Sequence, residues 1–188
     1  MPASAAEQRQ GLVDLTTLAR ADLAALWARL DGLSAEATRD ALVEVLAAIG
    51  EKYGTAAATL AADWFDDMRA EAGARGRFRA VPAVEVDVRR WESLAGWGVG
   101  PLFAAVPDRA AALALVDGGL QRTVADRHRL TIVENAVRDP EARGWTRFVS
   151  RNACDFCQML AGRGAVFSEA TADFVAHDRC FCSAAPAW

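Results

Sequence analysis

SAEATRDALVEVLAAIGEKYGTAAATLAADWFDDMRAEA, residues 34–72, decides the fold class. Leu42, Val45, Leu46, Ile49, Tyr53, Ala57, Leu60, Trp64, Phe65 and Met68 recur at intervals of three and four. That spacing gathers side chains on one face of a helix. Glu44, Glu51, Asp63, Asp66 and Asp67 fall on the other face. Ser34 precedes the run and is suited to cap it. The spacing therefore predicts one long helix over 34–72. Gly50 and Gly54 each cost about 1 kcal/mol in a helix interior relative to Ala, so they suit a bend or the close packing of a neighbour.

Working outward, Leu12, Leu15, Leu18, Leu23, Leu26, Trp27 and Leu30 predict a helix over about 5–31, stopped by Gly32. GARGRFRAVP (73–82) reads as a basic loop. A shorter helix over about 83–95 follows, although Val84, Val86 and Val88 alternate as a strand would. GWGVGP (96–101) reads as a turn-rich hinge. Leu113, Val116, Leu120 and Val124 predict more helix over about 108–138, split at Gly118–Gly119 and ended by Asp139–Pro140. Beyond Pro140, short strands are expected at Trp145–Ser150, Ala165–Phe167 and Arg179–Ser183, with short helices at Asp155–Ala161 and Ser168–Phe174. The expected fold is mainly α: an elongated helical body over about 1–140 and a small α+β, zinc-ribbon-like module over 141–188.

The chain has 188 residues, 53% of them hydrophobic and 24% charged, which excludes disorder as its main state. No apolar run approaches the ~20 residues of a bilayer span. MPASAAEQRQ, at the N-terminus, lacks the basic and apolar regions of a signal peptide, so the expected site of synthesis and folding is a cytoplasm. The net charge is −4, with 25 acids against 21 bases. Residues 1–72 are the acidic part, at net −6, whereas 75–90 and 121–151 are each +3. A pI near 5.2 argues against a dedicated nucleic-acid binder. Twenty of the 21 bases are Arg, a coding bias of GC-rich genomes.

All four cysteines lie near the C-terminus. Cys154-Asp-Phe-Cys157 is followed, after 19 residues, by His177-Asp-Arg-Cys180-Phe-Cys182. A C-x₂-C turn points two thiolates at one ion, and a second pair of soft ligands completes a tetrahedron. Zinc suits mixed sulfur and nitrogen ligands with no open position. Cys180 and Cys182 alternate along an expected strand, so only one of them readily enters the site unless a bulge intervenes. The expected set is Cys154, Cys157, His177 and one of Cys180 or Cys182, holding a structural Zn²⁺. Buried free thiols, and disulfides formed later in an oxidising particle, are the other readings of the cysteines.

The segment GWTRFVSRNACDFCQMLAGRGAVFSEATADFVAHDRCFCSAAPAW (144–188) resembles the C-terminal signature of MuF-like minor head proteins of tailed bacteriophages, in the form met in actinobacteriophages. Ala153, Cys154, Phe156, Cys157, Met159, Leu160, Arg163, Gly164, Phe167, His177, Cys180, Cys182, Pro186 and Trp188 carry it. The first 140 residues resemble the family only in their helical character. The resemblance implies a minor capsid protein acting in head morphogenesis. It would sit inside the capsid of the virion near the portal vertex, touching the portal protein and the major capsid protein, after assembly in the host cytoplasm. Such proteins are also described as capsid maturation proteases, which is the alternative activity. Larger relatives carry toxin or enzyme domains after the signature, and this sequence stops at Trp188.

The sequence offers no catalytic constellation. There is no G-x-S-x-G and no H-E-x-x-H, and only two histidines are present. His177 is expected as a metal ligand, and His128, between Arg127 and Arg129, as a solvated side chain on a charged helical stretch. A cysteine protease built on Cys154 or Cys157 with His177 is the form a catalytic reading would take. Trp27, Trp64 and Trp91 are expected in the core, Trp97 as an exposed anchor, and Trp188 packed back on the small module. Arg75, Arg77 and Arg79 are expected in a solvated loop that could touch packaged DNA non-specifically or an acidic partner. No membrane partner is expected.

Overall fold

The long helix over 34–72 forms because its apolar stripe has two helices to pack against. In the computed structural model, which describes residues 5–84, 89–149, 153–164, 167 and 174–188, α1 spans Ala5–Arg29, α2 Ala35–Glu71, α3 Arg89–Gly98 and α4 Arg109–Arg138. A two-stranded sheet, β1 (Gly144–Phe148) and β2 (Ser183–Ala187), and a short helix α5 (Asp155–Ala161) complete the described elements. The protein is thus mainly helical, with a small sheet near its C-terminus. Among the described residues no helix is long and apolar enough to cross a membrane.

Capping sets the helix starts. Ser34 accepts from the Ala37 N–H at 3.2 Å, and Asp108 accepts from Ala111 at 2.9 Å, each satisfying a donor that has no partner within its helix. α2 runs between α1 and α4. Its Leu42, Leu46, Ile49, Tyr53 and Ala57 join Leu12, Leu23 and Trp27 of α1 and Val116, Leu120 and Val124 of α4 in the main core. Leu18 departs from the expected stripe and is exposed. It stands six residues from Leu12, about 240° round a helix, and Ala19 takes the inward position instead.

Glycines bring α3 into this core. A Cβ on Gly50 would lie 2.0 Å from the Trp91 ring, and one on Gly119 would lie 2.2 Å from Leu94 Cδ1. α4 therefore continues unbroken through Gly118–Gly119, contrary to the expected split, because Gly119 is the socket for a neighbour's side chain. The third helix also starts and ends later than the expected 83–95. Val84 lies outside any helix or strand, while Val86 and Val88 lie outside the described residues. GWGVGP is not a hinge: α3 continues to Gly98, a 3₁₀ turn covers Gly100–Phe103, and Val99 and Leu102 are buried there.

The sheet is antiparallel, pairing Gly144 with Ala187 through Phe148 with Ser183. β1 matches the expected strand. The expected strand at Arg179–Ser183 instead begins at Ser183, because Arg179 is left-handed (φ 61°) and the chain turns there, with Cys180 N donating to the His177 carbonyl. Of the Ala165–Phe167 strand, Phe167 bridges to Trp145, and residues 165–166 lie outside the described part. The expected Ser168–Phe174 helix also falls outside it, apart from Phe174.

Trp145 is buried, stacks on Phe167 at 4.4 Å, and joins Phe65 of α2 and Ile132, Val133 and Ala136 of α4 in a second core. Trp188 extends this join. Its ring meets Phe65 of α2 edge-on at 5.3 Å, and its Nε1 donates to Asp139, which also pairs with Arg69 at 2.9 Å. Trp27, Trp64 and Trp91 are in the core and Trp97 is exposed, as expected.

Candidate metal centre

A turn and a short helix bring the cysteines together. Cys154 stands at the N-cap of α5, and Cys157 lies one turn on, fully buried. From the other side, the left-handed turn at Arg179 delivers His177, Cys180 and Cys182. The five donors fall into two triads that share Cys157. Cys154, Cys157 and His177 form one; Cys157, Cys180 and Cys182 form the other, with all ligand atoms of a triad within 4.8 Å of one another. Both Cys180 and Cys182 thus face Cys157. The strand alternation that would have separated them does not apply, because β2 starts only at Ser183. All four thiols are free, and the cluster can hold a metal ion.

The electrostatics are uneven. Cys154 Sγ lies 3.3 Å from His177 Nε2. The Cys157 backbone N–H and then the His177 ring hold the Cys154 thiol below its ordinary value. Burial pushes Cys157 up. Cys180 is held low, chiefly by the hydrogen bond from Cys182, whose own thiol is pushed up by that same contact. His177 Nδ1 donates to the Asp178 carbonyl at 2.7 Å, which raises the basicity of the ring and leaves Nε2 as the ligating nitrogen.

The centre is locked to the helical body by arginines that sequence reasoning missed. Arg129 of α4, 1% exposed, donates from Nη2 to the Cys180 carbonyl at 2.6 Å and from Nε to the Cys182 carbonyl at 2.8 Å. Arg147 of β1 reaches Cys157 Sγ from Nη1 at 3.5 Å. Arg9 of α1 lines the same cavity as the cysteines. The alternation of Arg147 with Trp145 and Val149 was the available signal. Nothing local marks Arg129, since a charged helical stretch ordinarily faces water.

A match to a family of known proteins spans this whole arrangement, since residues 2–188 fit the model of the VG15 protein family. The chain belongs to that family. VG15 is a phage protein family. No curated protein and no solved structure matches the chain.

The remaining candidates of the VG15 chain lie elsewhere. His128 is not solvated: it is fully buried, with Gln8 Nε2 at 2.6 Å from Nε2 and Ser183 Oγ at 3.2 Å from Nδ1. Gln8 also donates to the Leu60 carbonyl and Ser183 donates to the Ala184 carbonyl. These contacts make Nδ1 the protonated nitrogen, donating to Ser183. Burial, and then Arg129, push the His128 pKa down to about 3. The ring is neutral and closed off, so the Gln8 and Ser183 contacts to His128 tie α1 and β2 to α4.

Arg75, Arg77 and Arg79 are exposed, as expected. Their loop is pinned from beneath by Arg69, which donates to the carbonyls of Ala74, Arg75 and Gly76. Arg79 pairs with Asp66 at 3.0 Å.

Proposed function

We propose that this VG15-family chain is a structural minor capsid protein of a tailed phage. It sits inside the head at the portal vertex, against the portal protein and the major capsid protein, and one structural zinc staples its C-terminal module. The observation that carries this reading is the Cys/His cluster, two triads sharing Cys157, joined to the helical body. A set of soft ligands held from behind by buried arginines suits a staple. The MuF-like signature residues supply those ligands, and the phage family supplies the setting.

Two distances support zinc. Bonds of about 2.3 Å to sulfur and about 2.0 Å to nitrogen set tetrahedral edges near 3.8 Å between sulfurs and 3.5 Å between sulfur and nitrogen. Cys157 and Cys180 are 3.8 Å apart, and Cys154 and His177 are 3.3 Å apart. Bound zinc would cross-link α5 to the turn before β2. The residues do the rest: the Asp178 carbonyl orients His177, and Arg129 holds the carbonyls of Cys180 and Cys182.

Cross-linking mass spectrometry of purified procapsids tests the placement. The expected result is cross-links to the portal protein and absence of cross-links to tail proteins. Contacts only to tail proteins, or absence from procapsids, would reject it. A capsid maturation protease is the second reading, favoured by the exposed Cys154–His177 pair. Capsid cleavage that is lost in a folded, zinc-loaded Cys154→Ser protein would support it over the structural role.

A further inference from the structure

Arg147 is 4% exposed. Its Nη2 donates to the Val175 carbonyl at 2.9 Å, and its guanidinium lies 3.8 Å from the Phe174 ring centroid. Nη1 reaches Cys157 Sγ, and Nε has no partner. The other buried arginines each have a carboxylate: Arg69 has Asp139, Arg127 has Glu51, and Arg129 has Asp126. Among the described residues no carboxylate pairs with Arg147. A buried cation without a counter-ion is strongly disfavoured. Among the described residues, the one group in contact that can carry negative charge is the Cys157 sulfur, and a metal-bound cysteine is a thiolate.

We infer that Arg147 is the counter-ion of an anionic metal–thiolate centre, and that its single charge matches three thiolates and one imidazole around a divalent ion. This rests on the metal reading above. Two thiolates with two neutral ligands would leave the centre neutral and Arg147 unbalanced. Four thiolates would leave two negative charges against one buried guanidinium, because Arg129 is already paired with Asp126. Cys154, Cys157 and His177 form one triad, and Cys180, 3.8 Å from Cys157, supplies the third thiolate. Cys182, the remaining sulfur of the second triad, stays outside the coordination set.

Full-length protein, purified reduced and loaded with zinc alone, tests this in two ways. X-ray absorption at the zinc edge should count three sulfurs and one nitrogen. Competition with a chromophoric chelator should show zinc held about tenfold or more weaker in Arg147→Gln. Arg147→Lys, which keeps the charge, should recover most of that loss. Circular dichroism establishes that each variant keeps its helices. Four sulfurs, or two sulfurs with two nitrogens, would overturn the inference, and so would unchanged affinity in Arg147→Gln or equal weakness in Arg147→Lys. If Arg147→Gln does not fold, the ligand count on the unsubstituted protein decides. Absence of zinc from the unsubstituted protein would overturn the metal reading itself.

Discussion

Arg129, in the C-terminal half of α4, donates to the Cys180 carbonyl at 2.6 Å, so the cysteine cluster is tied to the helical body and not only within its own module. Two carbonyls, those of Cys180 and Cys182, share this guanidinium. Arg129→Leu removes the donor to the Cys182 carbonyl, leaves the Cys180 carbonyl with Gln121 Nε2 at 3.2 Å, and leaves Asp126 without its partner. The expected loss is about 3–5 kcal/mol, read as a lower urea midpoint. A loss below about 1 kcal/mol would contradict this role.

His128 makes stability depend on pH. Its folded pKa is pushed down to about 3, below the ordinary 6.5. Between those values the unfolded chain binds more protons than the folded one, so stability rises with pH. The contribution is full above about pH 6.5 and is lost as pH falls toward 3. Each tenfold difference in proton affinity between the folded and unfolded chain is worth about 1.4 kcal/mol. Urea midpoints measured across pH 4–8 should fall on the acid side, and His128→Gln should flatten that fall. Parallel curves for the two proteins would contradict it.

Gly119→Ala separates propensity from packing. Propensity alone would stabilise α4 by about 1 kcal/mol. The added Cβ meets Leu94 at 2.2 Å, and overpacking of that kind costs about 1–3 kcal/mol. Packing should win, giving net destabilisation. Gly50→Ala should do the same through Trp91 and change that residue's fluorescence. A rise in melting temperature for either variant would contradict the packing.

Any DNA binding through Arg75, Arg77 and Arg79 should be weak and independent of sequence. Each phosphate contact contributes a slope of about −0.9 to log affinity against log salt, and Arg79 is already paired with Asp66. The expected slope therefore does not exceed about −3 in magnitude. A salt-resistant, sequence-selective complex would contradict this.

How much was legible depends on how local the determining physics is. The α2 stripe and the Ser34 and Asp108 starts follow from spacing and capping, and α1 with them. β1 and α5 were legible too. Gly118–Gly119 misled, because a glycine pair that seats Leu94 looks the same in sequence as one that breaks a helix. The cysteine spacing pointed to the site, but alternation wrongly set Cys180 against Cys182, because nothing local announces that Arg179 takes a left-handed turn. His128 and Arg129 were misread for one reason: the C-terminal segment that covers them, from Cys180 to Ser183, is more than 50 positions away.

Whether the Cys/His cluster is a structural zinc site decides the rest. Elemental analysis of full-length protein, freshly purified under reducing conditions, answers it. About one zinc per chain is expected, lost or much reduced in Cys157→Ser; protein that is folded, fully reduced and free of metal would contradict a zinc staple.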